Sequence, residues 1–111
     1  MKKNEVRHGN LVIYGGHQTT IDEKEIIHFV RFYDKYEPIP LTEEWLLKFG
    51  FERIDGMWTI SNFNGYLTKY LPLNGENGYK YFVSHCGMLN IRFVHQLQNI
   101  YFALTGEELT I

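Results

Sequence analysis

The sequence predicts an α+β domain in which antiparallel strand meanders carry one short central helix and one C-terminal helix packed on the sheet. Three observations predict it. Short β-branched and aromatic runs, broken by Gly, Asn and Asp, recur in both halves of the chain. "LTEEWLLKFG" (41–50) carries the start and stop signals of a helix, and "VHQLQNIYFALT" (94–105) has helical spacing. The 111 residues fit a single domain, 1–111. A hydrophobic content of 44% and a net charge of only −2 place the chain among sequences that fold.

Residues 1–36 are read as a β-rich part. "NLVIYG" (10–15) is a strand ended by Gly15-Gly16, followed by "TTID" (19–22) and "EIIHFVRFY" (25–33). In the last of these, Ile26, Val30 and Phe32 are expected to share a face, with His28 among them, and "DEKE" (22–25) forms the turn. "EPIP" (37–40) stops the sheet, since proline has no amide donor. In 41–50, Thr42 caps the helix, Glu43 and Glu44 meet its positive end, and Gly50 takes the left-handed position after it. Trp45, Leu46 and Phe49 then point inward. Residues 51–93 are read as a meander. Asp55-Gly56 is the dipeptide of a type I′ turn between "FERI" and "MWTI". "GYLTKYLPL" (65–73), the turn "NGENG" (74–78), "YKYFVS" (79–84) and "MLNIRF" (88–93) complete it.

The last helix poses a question of surface chemistry. From Arg92 to Glu107 the chain carries no charged residue. At about 100° per residue, Phe93, Val94, Leu97, Ile100, Tyr101 and Leu104 share one arc, the expected core face. His95, Gln98, Asn99 and Phe102 share the opposite arc. Such a face is built to be covered, either by the N-terminal sheet or by a partner protein. Amides and imidazole lose water at lower cost than Lys or Glu, and an aromatic ringed by them has the composition of a binding hot spot. His95, Gln98, Asn99 and Phe102 are therefore the candidate partner-binding residues.

No catalytic or metal constellation is legible. The five histidines (8, 17, 28, 85 and 95) show no zinc-ligand spacing, so neither metal nor cofactor is expected. His85 and Cys86 are neighbours in an extended run and point to opposite faces, which argues against a Cys/His nucleophile pair. "YGGH" and "NGENG" lack the lysine and spacing of phosphate-binding loops and read as turns. The expectation is a non-enzyme. Lys2, Lys3, Arg7, Lys80 and Arg92 are the candidate nucleic-acid contacts, with Tyr79, Tyr81 and Phe82 as a stacking platform. The slight acidic balance, and a core role that explains those aromatics equally well, weaken that alternative. A lone cysteine, no secretory h-region and no apolar run near the roughly 20 residues of a membrane span lead to a cytoplasmic expectation.

Three blocks carry a family resemblance. "NEVRHGNLV", "EPIPLTEEWLLKFGFE" and "VHQLQNIYFALTGEEL", in this order and spacing, resemble a family of small proteins encoded in bacterial prophages and other mobile elements. The resemblance spans nearly the whole chain, with 11–36 and 51–92 as its variable segments, and it brings no shared catalytic residue. It implies an accessory protein of the bacterial cytoplasm that binds one host protein and blocks it. Some proteins of this type are similar to anti-CRISPR inhibitors, including those of the type VI-B RNA-guided, RNA-targeting nuclease. The implied partner is then that effector, with or without its guide RNA. An RNA-binding regulator and a homo-oligomer joined through the last helix are the rival readings.

Overall fold

The computed structural model describes residues 3–61, 63, 65–70, 78–83 and 87–111, of which 3, 69–70, 78–83 and 87–89 are described by their backbone. The α+β expectation holds: two antiparallel sheets are joined by helices. A 3₁₀ turn at Lys3–Glu5 precedes β1 (Leu11–Tyr14) and β2 (His17–Thr20), which pair with Tyr14 opposite His17. β3 (Tyr36–Glu37) lies on the other side of β1, giving the order β2-β1-β3.

Between β2 and β3 the structure departs from the expected strand meander. Residues 25–33 do not form a strand. Glu23–Phe32 is a helix, α1, and "DEKE" is its start rather than a turn. The Asp22 side chain accepts hydrogen bonds from the amides of Lys24 (3.0 Å) and Glu25 (2.8 Å), satisfying two of the donors a helix start leaves free. Ile26, Phe29 and Tyr33 then fall on one side and pack against β1 and β3, whereas Val30 is 49% exposed. The β-branched and aromatic content favoured a strand, and the apolar positions fit a period of 2 as well as 3.6. The cap decided between them.

The second half follows the reading more closely. α2 (Glu43–Lys48) is capped by Thr42, whose hydroxyl accepts from the Trp45 amide, and Leu46 and Phe49 are buried beneath it. Gly50 has φ +92°, a value that only glycine adopts freely, and ends the helix. β4 (Glu52–Ile54) and β5 (Met57–Thr59) are joined through Asp55 and Gly56, with φ 51° and 79° as a type I′ turn requires. β6 (Tyr66–Tyr70), β7 (Gly78–Val83) and β8 (Gly87–Ile91) complete an antiparallel sheet ordered β4-β5-β6-β7-β8. The EPIP segment does more than stop the first sheet. Pro40 bridges Phe93, and the backbones of Ile39 and Leu41 bond to those of Val94 and Arg92, which anchors the start of α3 (Val94–Thr105). Its end is marked by Gly106 in the left-handed conformation, φ +75°.

β1 links the two cores. Val12 and Tyr14 face the α1 side with Ile21, Phe29 and Tyr36, and Leu11 and Ile13 face the larger cluster around Leu46, Leu67, Ile91 and Leu97. Strand alternation makes this division automatic. It also explains why "LVIY" is apolar at every position.

Candidate functional site between the N-terminal segment and the last helix

α3 is buried on two sides. Val94, Leu97 and Tyr101 enter the main core as the spacing predicts, with Ile100 packed at its margin, but Leu104 is 47% exposed and belongs to the surface. The opposite arc is covered by the chain's own residues 5–11. Gln98, 2% exposed, accepts a hydrogen bond from the Leu11 amide (2.9 Å) and donates to the carbonyls of Gly9 (3.2 Å) and Leu109 (3.4 Å). β3 pairs only with Ile13 and Tyr14, so the amide of Leu11 has no strand to donate to and a side chain takes that place. Asn99 donates to the Glu5 carbonyl (3.1 Å) and accepts from Asn10 (2.8 Å) and from Nε of Arg7 (3.2 Å).

Of the four residues expected to meet a partner, Gln98 is thus buried and presents no surface, which corrects that part of the reading, and His95 is 1% exposed at the edge of a cavity. Asn99 is half-buried. Phe102 remains 38% exposed, and the Arg7 guanidinium lies 4.1 Å from its ring centroid. Arg7 also forms a two-pronged ion pair with Glu108, so this candidate nucleic-acid contact is occupied internally. Arg92 is exposed, 5.4 Å from the Phe93 ring. Lys3 and Lys80 are described by backbone alone. Lys2, His85 and Cys86 lie outside the described residues, as does most of "NGENG".

The centre of the site is His95. Its side chain is 1% exposed and stacks on Phe93 with ring centroids 6.0 Å apart. Among the described residues neither ring nitrogen has a hydrogen-bond partner. Glu5 Oε2 stands 3.9 Å from Nε2, beyond hydrogen-bond reach. Burial pushes the imidazole pKa below its usual value, against the opposing pull of the Glu5 carboxylate, so the ring is neutral at pH 7 and offers one donor and one acceptor. It forms part of the wall of a cavity of about 330 Å³, with Glu5, Asn90, Gln96 and Asn99 as polar lining and Ile91 and Ile100 as apolar lining. That volume lies at the small end of ligand sites, which run from about 300 to 1,000 Å³. The Oε1 atom of Gln96 is already engaged, accepting from the amides of Arg92 (2.8 Å) and Phe93 (3.1 Å) at the helix start. Sequence reasoning found His95 and missed Glu5 and Asn90. No spacing rule joins residue 5 to residue 95.

A second polar cluster surrounds Tyr36, which is 1% exposed. Its hydroxyl bonds to Nδ1 of His28 and donates to Glu25 (3.3 Å). Burial, and then the Glu25 charge, push the phenol up to about 12. Ring contacts with Tyr14, Phe29 and His28 tie this cluster to the α1 core, and its role there is to satisfy a buried hydroxyl.

Among the described residues no three His, Cys, Asp or Glu side chains gather as a metal ion would need, and no helix is long and apolar enough to cross a membrane. Compared with protein-family models, curated proteins and solved structures, the chain matches none of them.

Proposed function

We propose that the protein acts by binding another protein without turnover, as a mobile-element accessory factor that docks on a host defence protein and inhibits it. The sharpest target is an RNA-guided, RNA-targeting nuclease of type VI-B, as the family resemblance implies. One observation carries the binding reading: on α3 a half-exposed Phe102, held under Arg7, stands one helical turn from Asn99 at a cavity whose buried His95 has no hydrogen-bond partner among the described residues. An aromatic anchor fixed before contact loses little freedom on binding, and aromatics and Arg are the residues that dominate such contacts.

The test adds the purified chain to a type VI-B nuclease loaded with guide RNA and follows cleavage of target RNA. Inhibition that saturates near one chain per nuclease, and that weakens in Phe102→Asp, is the expected result. Full cleavage at a large molar excess of chain removes this target. A parallel capture from host lysate, with Phe102→Asp as control, tests the wider reading. One dominant protein lost with the variant supports it, and RNA recovered without a dominant protein counts against it.

A further inference from the structure

The outward face of α1 carries a pattern that is complementary to itself. We infer that it is a weak homodimer contact, in which a second copy of this chain crosses α1 antiparallel about a two-fold axis at Ile27. The contact does not involve α3 and does not depend on the binding reading above.

α1 buries one side only. Phe29 is buried and Ile26 and Tyr33 pack beside it on the smaller core, whereas Ile27 is 61% exposed and Val30 49%. Three residues apart on a helix, these two are surface neighbours. They form an apolar strip where a surface helix ordinarily carries polar groups. Charge names the occupant. Glu23, Ile27 and Arg31, all exposed, fall at i, i+4 and i+8 and so make one ridge of the helix. At 1.5 Å per residue the two charges stand about 6 Å to either side of Ile27 along the axis. A ridge with an acid at one end, an aliphatic side chain at its centre and a base at the other end is its own complement when turned end for end. Two copies crossing at about 50°, the angle that brings such ridges alongside each other, set Ile27 and Val30 against their counterparts. Each Glu23 then lies beside the second copy's Arg31. Both ion pairs form at once, because a two-fold axis makes every contact twice. The antiparallel crossing also lays the positive start of one helix beside the negative end of the other. Lys24 is at the rim, where its amine stays in water above its own methylene stem. A ten-residue helix is only about 15 Å long, so the contact is smaller than the roughly 1,200 Å² of stable interfaces. The dimer is accordingly weak, with a dissociation constant on the order of 100 µM.

The test is sedimentation equilibrium of the full chain from about 10 µM to about 1 mM, in low salt, where exposed ion pairs are least screened. The wild type is expected to pass from monomer to dimer over this range. Glu23→Arg sets a like charge against the second copy's Arg31, and Arg31→Glu does the same against its Glu23. Each variant alone is expected to raise the dissociation constant about tenfold or more. An equimolar mixture of the two variants restores both opposite-charge pairs in a heterodimer, and it is expected to associate as the wild type does. An unfolded variant could not restore association, so the mixture also controls for folding. Ile27→Gln, a helix-compatible change at an exposed position, is expected to stay monomeric throughout. Three results would each overturn the assignment: a wild type still monomeric at the highest concentration, a dimer indifferent to both charge reversals (as one joined through Phe102 would be), or a mixture no more associated than its components.

Discussion

Replacing His95 by Leu should make the protein more stable. The imidazole is almost wholly buried, and among the described residues neither ring nitrogen is hydrogen-bonded. Leaving a buried polar group unpaired costs about 1–3 kcal/mol. Leu has nearly the same volume and no polar atom, and the mismatch in shape returns less than about 1.5 kcal/mol of that. The net expectation near pH 8 is a gain of about 1 kcal/mol, or roughly 4 °C in Tm for a chain of this size. Acid widens the difference. Because burial lowers the folded pKa of His95 below its ordinary 6.5, the unfolded chain takes up a proton first as the pH falls below that value. The native wild type therefore loses stability from pH 6.5 down to the folded pKa, and the Leu variant escapes this loss. Urea unfolding followed by tryptophan fluorescence, at about pH 8 and again at about pH 5.5, measures both effects, and comparing variant with wild type cancels the other histidines. A variant less stable by more than about 1 kcal/mol at the higher pH would refute the reasoning. So would a difference that is the same at both pH values. If the gain appears, His95 is a residue that costs the fold stability, as groups placed for binding commonly do.

Gln98→Met keeps the volume but strands the Leu11 amide, so chemical denaturation should show a loss of about 1–3 kcal/mol. Leu97→Ala opens a cavity in the core and should cost about 2–5 kcal/mol, whereas Phe102→Ala, at a partly exposed ring, should cost well under half as much; equal large losses would mean that Phe102 is core. In an alkaline titration read by tyrosinate absorbance, one of the eight tyrosines should ionise late, near 12, and vanish in Tyr36→Phe. The stabilisation that Tyr36 contributes is present below pH 10 and disappears as the pH rises through that late value.

Local chemistry made some elements legible from sequence and left others ambiguous. α2 was readable because Thr42, the two glutamates and Gly50 each satisfy a backbone or dipole requirement at a known offset. The 55–56 turn was readable because few dipeptides tolerate two successive positive φ values. α1 was misread as a strand. Asp22 and the acidic residues after it were a cap signal, but Ile26, Ile27 and Val30 in the segment that follows outweighed it. The outer face of α3 reads as built to be covered, and its sequence leaves the coverer open between the N-terminal segment and a partner. Residues 5–11 take His95 and Gln98, and Phe102 is left to solvent and Arg7. Leu104 was assigned to the core from its angle alone, yet it lies in the last turn, where the 47% exposure shows that little packs against it.

The sequence by itself determined the α+β class, both later helices and the Asp55-Gly56 turn, because these depend on interactions within a few residues along the chain. Tertiary structure alone decided that β1 is shared by two cores, that Gln98 completes the bonding of a strand residue 87 positions earlier, and that Glu5 and His95 face one cavity. Each of these joins residues far apart in the chain. Hydrogen bonding and burial act through space, and no periodicity along the backbone records which distant groups the fold will bring within a few ångströms.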